Sequence, residues 1–382
     1  MMGNLTEITT LARSGSLDRA WELFEQGGHD RADDAATLAI KGRLLKDRAV
    51  RASGARRAAL YAEAAQAYAS AARHDEASYP LINAATLSLL AGDPARAAAL
   101  AQRVLARIAA NPDEPETPYY LAATRAEALL LLGREAEARA ALDEAIAVAP
   151  RAWEDHASTL RQFALILAAQ GADAAWLDAL RPQRSLHFGG HMSFRADAGP
   201  TPLTERIAAL LEEERIGFGY GALAAGADIL VAEALVARGA ELHLVIPGGL
   251  DAFAALSVDP FGREWRARFD AMVAAADTVR QVEPLNMLPD SVGIALADEI
   301  AMGAARVNAR RLASEALQLL VLAEGEDEAP GHSRRIWAQG GGRQHIVYAP
   351  REPVDPPLPA PSARHACLAA LAIRTEGDAL DA

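Results

Sequence analysis

The chain of 382 residues has one cysteine, Cys367, and aromatic side chains make up 5% of it. A single thiol excludes a disulfide framework and a cysteine-based zinc site, which is the usage expected of a reducing cytoplasm. Cationic side chains are outnumbered, leaving a formal charge of −13. That balance argues against nucleic acid as the main partner, because phosphate binding needs a basic face. No apolar run reaches the roughly 18 residues of a membrane span, and the N-terminus has no basic segment followed by an apolar one. The expectation is a cytoplasmic protein that does not enter membranes. What is abundant is hydrophobic residues, 51% of the chain, with alanine filling the space that aromatics leave, a composition suited to closely packed helices.

From residue 5 to about 180 the pattern is helix, tight turn, helix, without strand-like alternation. Gly15, Gly92, Gly133 and Gly171 each close one helix and are followed within a few residues by another. Small residues recur five positions later at Ala20, Ala97 and Ala138, with Trp176 in the fourth copy. The clearest unit is Thr117-Pro-Tyr-Tyr-Leu-Ala-Ala-Thr-Arg-Ala-Glu-Ala-Leu-Leu-Leu-Leu-Gly133, followed by Arg134 to Ala149 and a stop at Pro150. This resembles the tetratricopeptide repeat. Such arrays present a concave face that holds a protein or peptide partner or another domain of the same chain, or serve as a structural array that merely packs on the second half. Tyr61, Tyr68, Tyr119 and Tyr120 either line that groove or, at helical spacing, belong to the core.

After residue 180 the composition changes to alternating strand and helix. Strands are expected near 185–189, 215–220, 241–246, 278–282, 316–323 and 344–348, with helices near 202–214, 226–238, 261–276, 292–313 and 331–340. That order predicts a mostly parallel, Rossmann-like sheet covered by helices on both faces, with ligands bound beyond the carboxyl ends of the strands. The expected division is a helical-repeat domain over 1–180, a Rossmann-like nucleotide-binding domain over 184–350, and a proline- and alanine-rich tail over 351–382 with a short helix near 363–372.

Two glycine turns fall at the expected ligand edge. Gly189 and Gly190, before His191, either allow a sharp turn or let backbone approach a phosphate or ribose. His191 either donates to an anion or caps the next segment, and no second histidine or carboxylate lies at metal-ligand spacing. Gly219, Gly221 and Gly226, with Ala222 between, precede a helix and suit a phosphate cradle. Asp228 falls in that helix's first turn, where it complements the helix dipole or bonds a ribose hydroxyl or a backbone amide. Pro247 ends the third strand where a ligand loop begins, and Ser257 and Arg263 are within reach of a phosphate across the cleft. Trp265 and Phe269, four apart, read as core. Gly331-His-Ser333 opens a late helix, where His332 or Ser333 caps it or its free N–H groups hold a second anion.

Taken in order, Phe188-Gly-Gly-His-Met192, Gly221-Ala-Leu-Ala-Ala-Gly-Ala-Asp228, Ser257-Val258 and Trp265 to Phe269 resemble the Rossmann-like sensor domain of the SMF/LOG (SLOG) superfamily, in the bacterial form fused behind tetratricopeptide repeats. The Gly-Ala-(x)3-Gly-Ala-Asp core is also similar to the nucleotide-binding turn of the DNA-processing SMF family. The resemblance implies a pocket for a nucleotide or nucleotide-derived signal and a role in sensing. The cytokinin-activating phosphoribohydrolases of the superfamily carry Pro-Gly-Gly-x-Gly-Thr and paired glutamates, whereas Pro247-Gly-Gly249 here has neither after it. The preferred expectation is therefore a signalling sensor whose repeats hold a partner or transmit the bound state, with catalysis the less favoured reading. The alternatives are a nucleotide N-glycosidic hydrolase using Asp228 or Glu233, and a scaffold that binds nothing. The long alanine-rich helix near 292–313 suggests a homodimer through the second domain.

Overall fold

The computed structural model describes residues 5–75, 77–111, 117–194, 202–282, 291–325 and 331–351. The helix expected near 363–372 lies outside them. The chain divides into two compact units, Met1–Leu180 and Arg181–Ala382.

The first unit contains helices and no strand among its described residues. They are α1 (Leu5–Arg13), α2 (Leu17–Gln26), α3 (Ala35–Arg51), α4 (Gly54–Asp75), α5 (Ser78–Leu90), α6 (Pro94–Ala110), α7 (Pro118–Leu131), α8 (Glu135–Val148) and α9 (Trp153–Gln170). Their boundaries follow from local chemistry. Asp34, Asp93 and Thr117 precede α3, α6 and α7 and accept the backbone N–H three residues on, while Pro94 and Pro118 occupy first positions that need no donor. Gly15, Gly92, Gly133 and Gly171 all have positive φ, between 67° and 90°, so each stops its helix in a backbone state costly for other residues. Alanine lets neighbouring helices approach closely, and at Gly42 even a methyl is too much: a Cβ there would lie 2.6 Å from the Tyr68 ring. Tyr61, Tyr68 and Tyr119 are core residues, whereas Tyr120 is 37% exposed.

Among its described residues the second unit holds a sheet of six strands, β1 (Arg184–Gly190), β2 (Ile216–Gly221), β3 (Glu241–Ile246), β4 (Thr278–Gln281), β5 (Ala316–Ala323) and β6 (Arg343–Ala349), in the order β4-β3-β2-β1-β5-β6. Every pairing is parallel. The helices are α10 (Leu203–Glu213), α11 (Ala227–Ala237), α12 (Leu250–Ser257), α13 (Arg263–Ala275), α14 (Ser291–Arg311) and α15 (Gly331–Gln339). Side chains alternate across β1. Leu186 and Phe188 join an apolar core with Ile207 of α10, Leu230 of α11 and Phe269 of α13. Ser185 and His187 face α14 through Asn308 and Asp298. The expected helical array followed by a parallel sheet is what the chain forms. One element was not expected: α12 fills the stretch between Pro247 and Ser257.

Candidate functional site at the carboxyl edge of the sheet

Chain order runs outward from β1 in both directions, through β2 on one side and β5 on the other. The connections after β1 and β5 therefore diverge, which opens a crevice beyond their carboxyl ends. His191, Met192 and the turn 222–226 lie at this edge, with Asp228 behind them.

The turn is held chiefly by backbone. The His191 N–H donates to Val321 O at 3.0 Å, Ala227 N–H to His191 O at 3.2 Å, Ser193 N–H to Ala225 O at 3.1 Å, and Ala225 N–H to Ser257 O at 2.9 Å. Ser257 thus contributes its carbonyl, as the last residue of α12. Pro247 ends β3, Gly248 turns with φ 78° and Gly249 precedes α12. Arg263, at the start of α13, is exposed.

The glycines are explained by close approach within the protein. A Cβ on Gly190 would lie 2.2 Å from Val321 O and 2.6 Å from the Ala227 Cβ, and one on Gly221 would lie 2.6 Å from Phe188 O. Gly226 has φ 113°, and its Cβ would meet Ser193 N at 2.6 Å. Gly189 is different, its nearest atom being a Leu320 methyl at 4.0 Å. Ala222 is half-buried against the core.

His191 is 8% exposed, and its Nδ1 accepts the Ala323 N–H at 2.8 Å. An accepting Nδ1 places the proton of the neutral ring on Nε2. Asp228 is 6% exposed and accepts the Ala224 N–H at 3.0 Å, closing the turn. Burial pushes its carboxyl up to about 7; the Ala224 bond opposes this and the Asp298 charge adds to it. A carboxyl with that value near neutral pH can both hold and release a proton.

Behind the edge, on the α14 face, lies a group that the sequence did not reveal. His187 is fully buried; it donates from Nε2 to Asp298 at 2.7 Å and accepts on Nδ1 from Gln318 at 3.0 Å. Its ring stacks on Trp337 with centroids 6.0 Å apart, and Gln344 donates to Gln318 at 2.8 Å. These partners are over 100 residues apart in the chain, so no local spacing announces them.

Three other sequence candidates are placed elsewhere. Glu233 makes a bidentate pair with Arg268 at 2.6 and 2.7 Å, and that guanidinium lies 4.1 Å over Trp265. His332 is 2.6 Å from Glu299, and Ser333 is buried. Among the described residues no group of three potential metal ligands gathers, and no helix is long and apolar enough to cross a membrane.

Fold and edge define a helical-repeat unit joined to a Rossmann-like unit. Residues 3–88 match the family described as tetratricopeptide repeats-sensor, so the start of the array is similar to a repeat type tied to sensing. No curated protein matches the chain. Among solved structures, a mutant O-GlcNAc transferase from Thermobaculum terrenum shares 13% identity over 83% of this chain and 76% of its own, at a TM-score of 0.22.

Proposed function

We propose that the protein is a two-part sensor, in which the Rossmann-like unit binds a nucleotide or nucleotide-derived ligand and the repeats hold a protein partner. The observation that carries the first half is the place of His191 and the 222–226 turn, at the carboxyl ends of the strands where the chain order diverges. The order of motifs from Phe188 to Phe269, which resembles the SLOG superfamily, supports the same reading. Gly189 is the glycine of this edge with space beside it. His191 then contacts the ligand's anionic or ribose oxygens, Gly190, Gly221, Ala222 and Gly226 shape the backbone around them, and Pro247 and Ser257 border the crevice. The repeat match over residues 3–88 supports the second half, since stacked helix pairs are generally partner-binding surfaces.

A second reading, hydrolysis of a nucleotide N-glycosidic bond, is favoured by one observation: Asp228, with its carboxyl at about 7 beside Asp298, suits a general acid. Glu233, bound to Arg268, does not suit that role. Calorimetric titration with a panel of nucleoside phosphates, cyclic nucleotides and dinucleotides tests binding, and chromatography of the same mixtures tests base release. Binding without release supports the sensor. Release that Asp228→Asn abolishes supports the hydrolase, and no binding at all leaves the scaffold reading.

A homodimer through the second unit belongs to the same proposal. Leu296 and Val307 of α14 are 37% and 57% exposed and share a helical face with Ile300 and Gly303. A Cβ on Gly303 would meet nothing within 4 Å, which leaves room for a second copy of the helix. Light scattering at micromolar concentration should give twice the chain mass, and a monomer would overturn the assignment.

A further inference from the structure

The helical unit contains a cavity of about 690 Å³ lined by residues from Arg13 to Gln162, a volume typical of small-molecule sites. Its position follows from the winding of the array. Lys46 Nζ on α3 donates to Gln162 Oε1 on α9 at 3.1 Å, across 116 residues. Side chains from helices distant in sequence therefore line one space, which is partly open to solvent.

The charge in this space runs opposite to that of the chain. Arg13, Arg43, Lys46 and Arg161 line it against Asp47 and Glu127, four cations to two carboxylates in a protein whose net charge is −13. Both carboxylates have partners: Asp47 is 3.9 Å from Arg43, and Glu127 Oε1 accepts from Thr86 at 2.5 Å and Gln162 at 3.3 Å. Burial pushes the Glu127 carboxyl up and the Lys46 ammonium down, the cost of desolvating charge, and the attraction between these two groups, with that of Asp47 for Lys46, opposes it. An ammonium has three donors, and among the described residues Lys46 makes one hydrogen bond, to Gln162. A partly desolvated cation with donors to spare, in a cavity with surplus positive charge, gains from an anion. Tyr79 and Tyr120, 45% and 37% exposed, add flat apolar surface for the carbon frame of an organic ligand.

We propose that this cavity is a binding site for a compact polyanion carrying two or more carboxylate or phosphate groups, held by Lys46, Arg13, Arg43 and Arg161. The site is separate from the nucleotide edge of the second unit and stands or falls without it. The shared chemistry is charged oxygen, and two probes separate its sources: citrate for carboxylates and pyrophosphate for phosphates. Titration calorimetry of the full chain at low salt should show saturable binding of at least one, and none of spermine. Lys46→Met and Arg161→Gln should each weaken it roughly ten- to a hundredfold, the loss of one charge-assisted hydrogen bond, and Glu127→Gln should strengthen it. Circular dichroism checks folding, and Arg161, being exposed, tests the site even if Lys46→Met unfolds. Binding of neither ion, binding indifferent to Arg161→Gln, or binding of hexaglutamate with neither small ion would overturn the proposal, the last by making the cavity a peptide site.

Discussion

Asp228 gives the sharpest test of the electrostatics at the sheet edge. Its carboxyl, raised from 3.8 to about 7 chiefly by burial, binds its proton more tightly in the folded than in the unfolded chain. Stability from this residue is therefore greatest below about pH 4, falls as pH rises towards 7 and is flat above, because in that window the folded state holds the extra proton. At about 1.4 kcal/mol per pH unit, the interval corresponds to about 4 kcal/mol. Asp228→Asn keeps an oxygen to accept the Ala224 N–H, now 3.0 Å away, and removes the titration. For a unit near 200 residues, about 4 kcal/mol corresponds to roughly 8 to 16 °C in Tm. Differential scanning calorimetry of both proteins from pH 4 to 8 should show the variant gaining on the parent as pH rises, mostly between 5 and 7. Parallel curves across the range would refute the burial argument.

Three further substitutions probe the frame. Gly226→Ala forces a methyl to 2.6 Å from Ser193 N at φ 113° and should cost about 2 to 4 kcal/mol, read as a lower melting transition of the second unit. Gln318→Leu leaves His187 Nδ1 without the donor now 3.0 Å away and should cost about 1 to 3 kcal/mol, measured by urea unfolding followed by Trp fluorescence. Thr117→Ala removes the oxygen that accepts Tyr120 N–H at 3.2 Å and should cost about 1 kcal/mol, confined to the transition of the helical unit.

The fold was legible because its signals are local. Gly92 with Pro94, and Thr117 with Pro118, mark helix ends through backbone requirements that no distant contact alters. Apolar runs such as Leu319 to Ala323 declare buried parallel strands. Helix α12 was missed because Pro247-Gly-Gly249 and Ser257 carry loop chemistry at both ends of a segment only eight residues long. The glycine turns were visible as turns, but what Gly190 and Gly226 approach depends on Val321 and Ser193, which no spacing rule connects to them. The same limit hid His187 with Asp298 and Lys46 with Gln162, pairs made by the path of the whole unit.

The central claim, a nucleotide-derived ligand at the carboxyl edge of the sheet, is tested most directly by hydrogen–deuterium exchange with and without the nucleotide panel. At least one nucleotide should slow exchange in 189–194 and 222–230, with the strands beyond β1 and β2 unchanged. Slowed exchange confined to other segments, or none with any nucleotide at millimolar concentration, would contradict it.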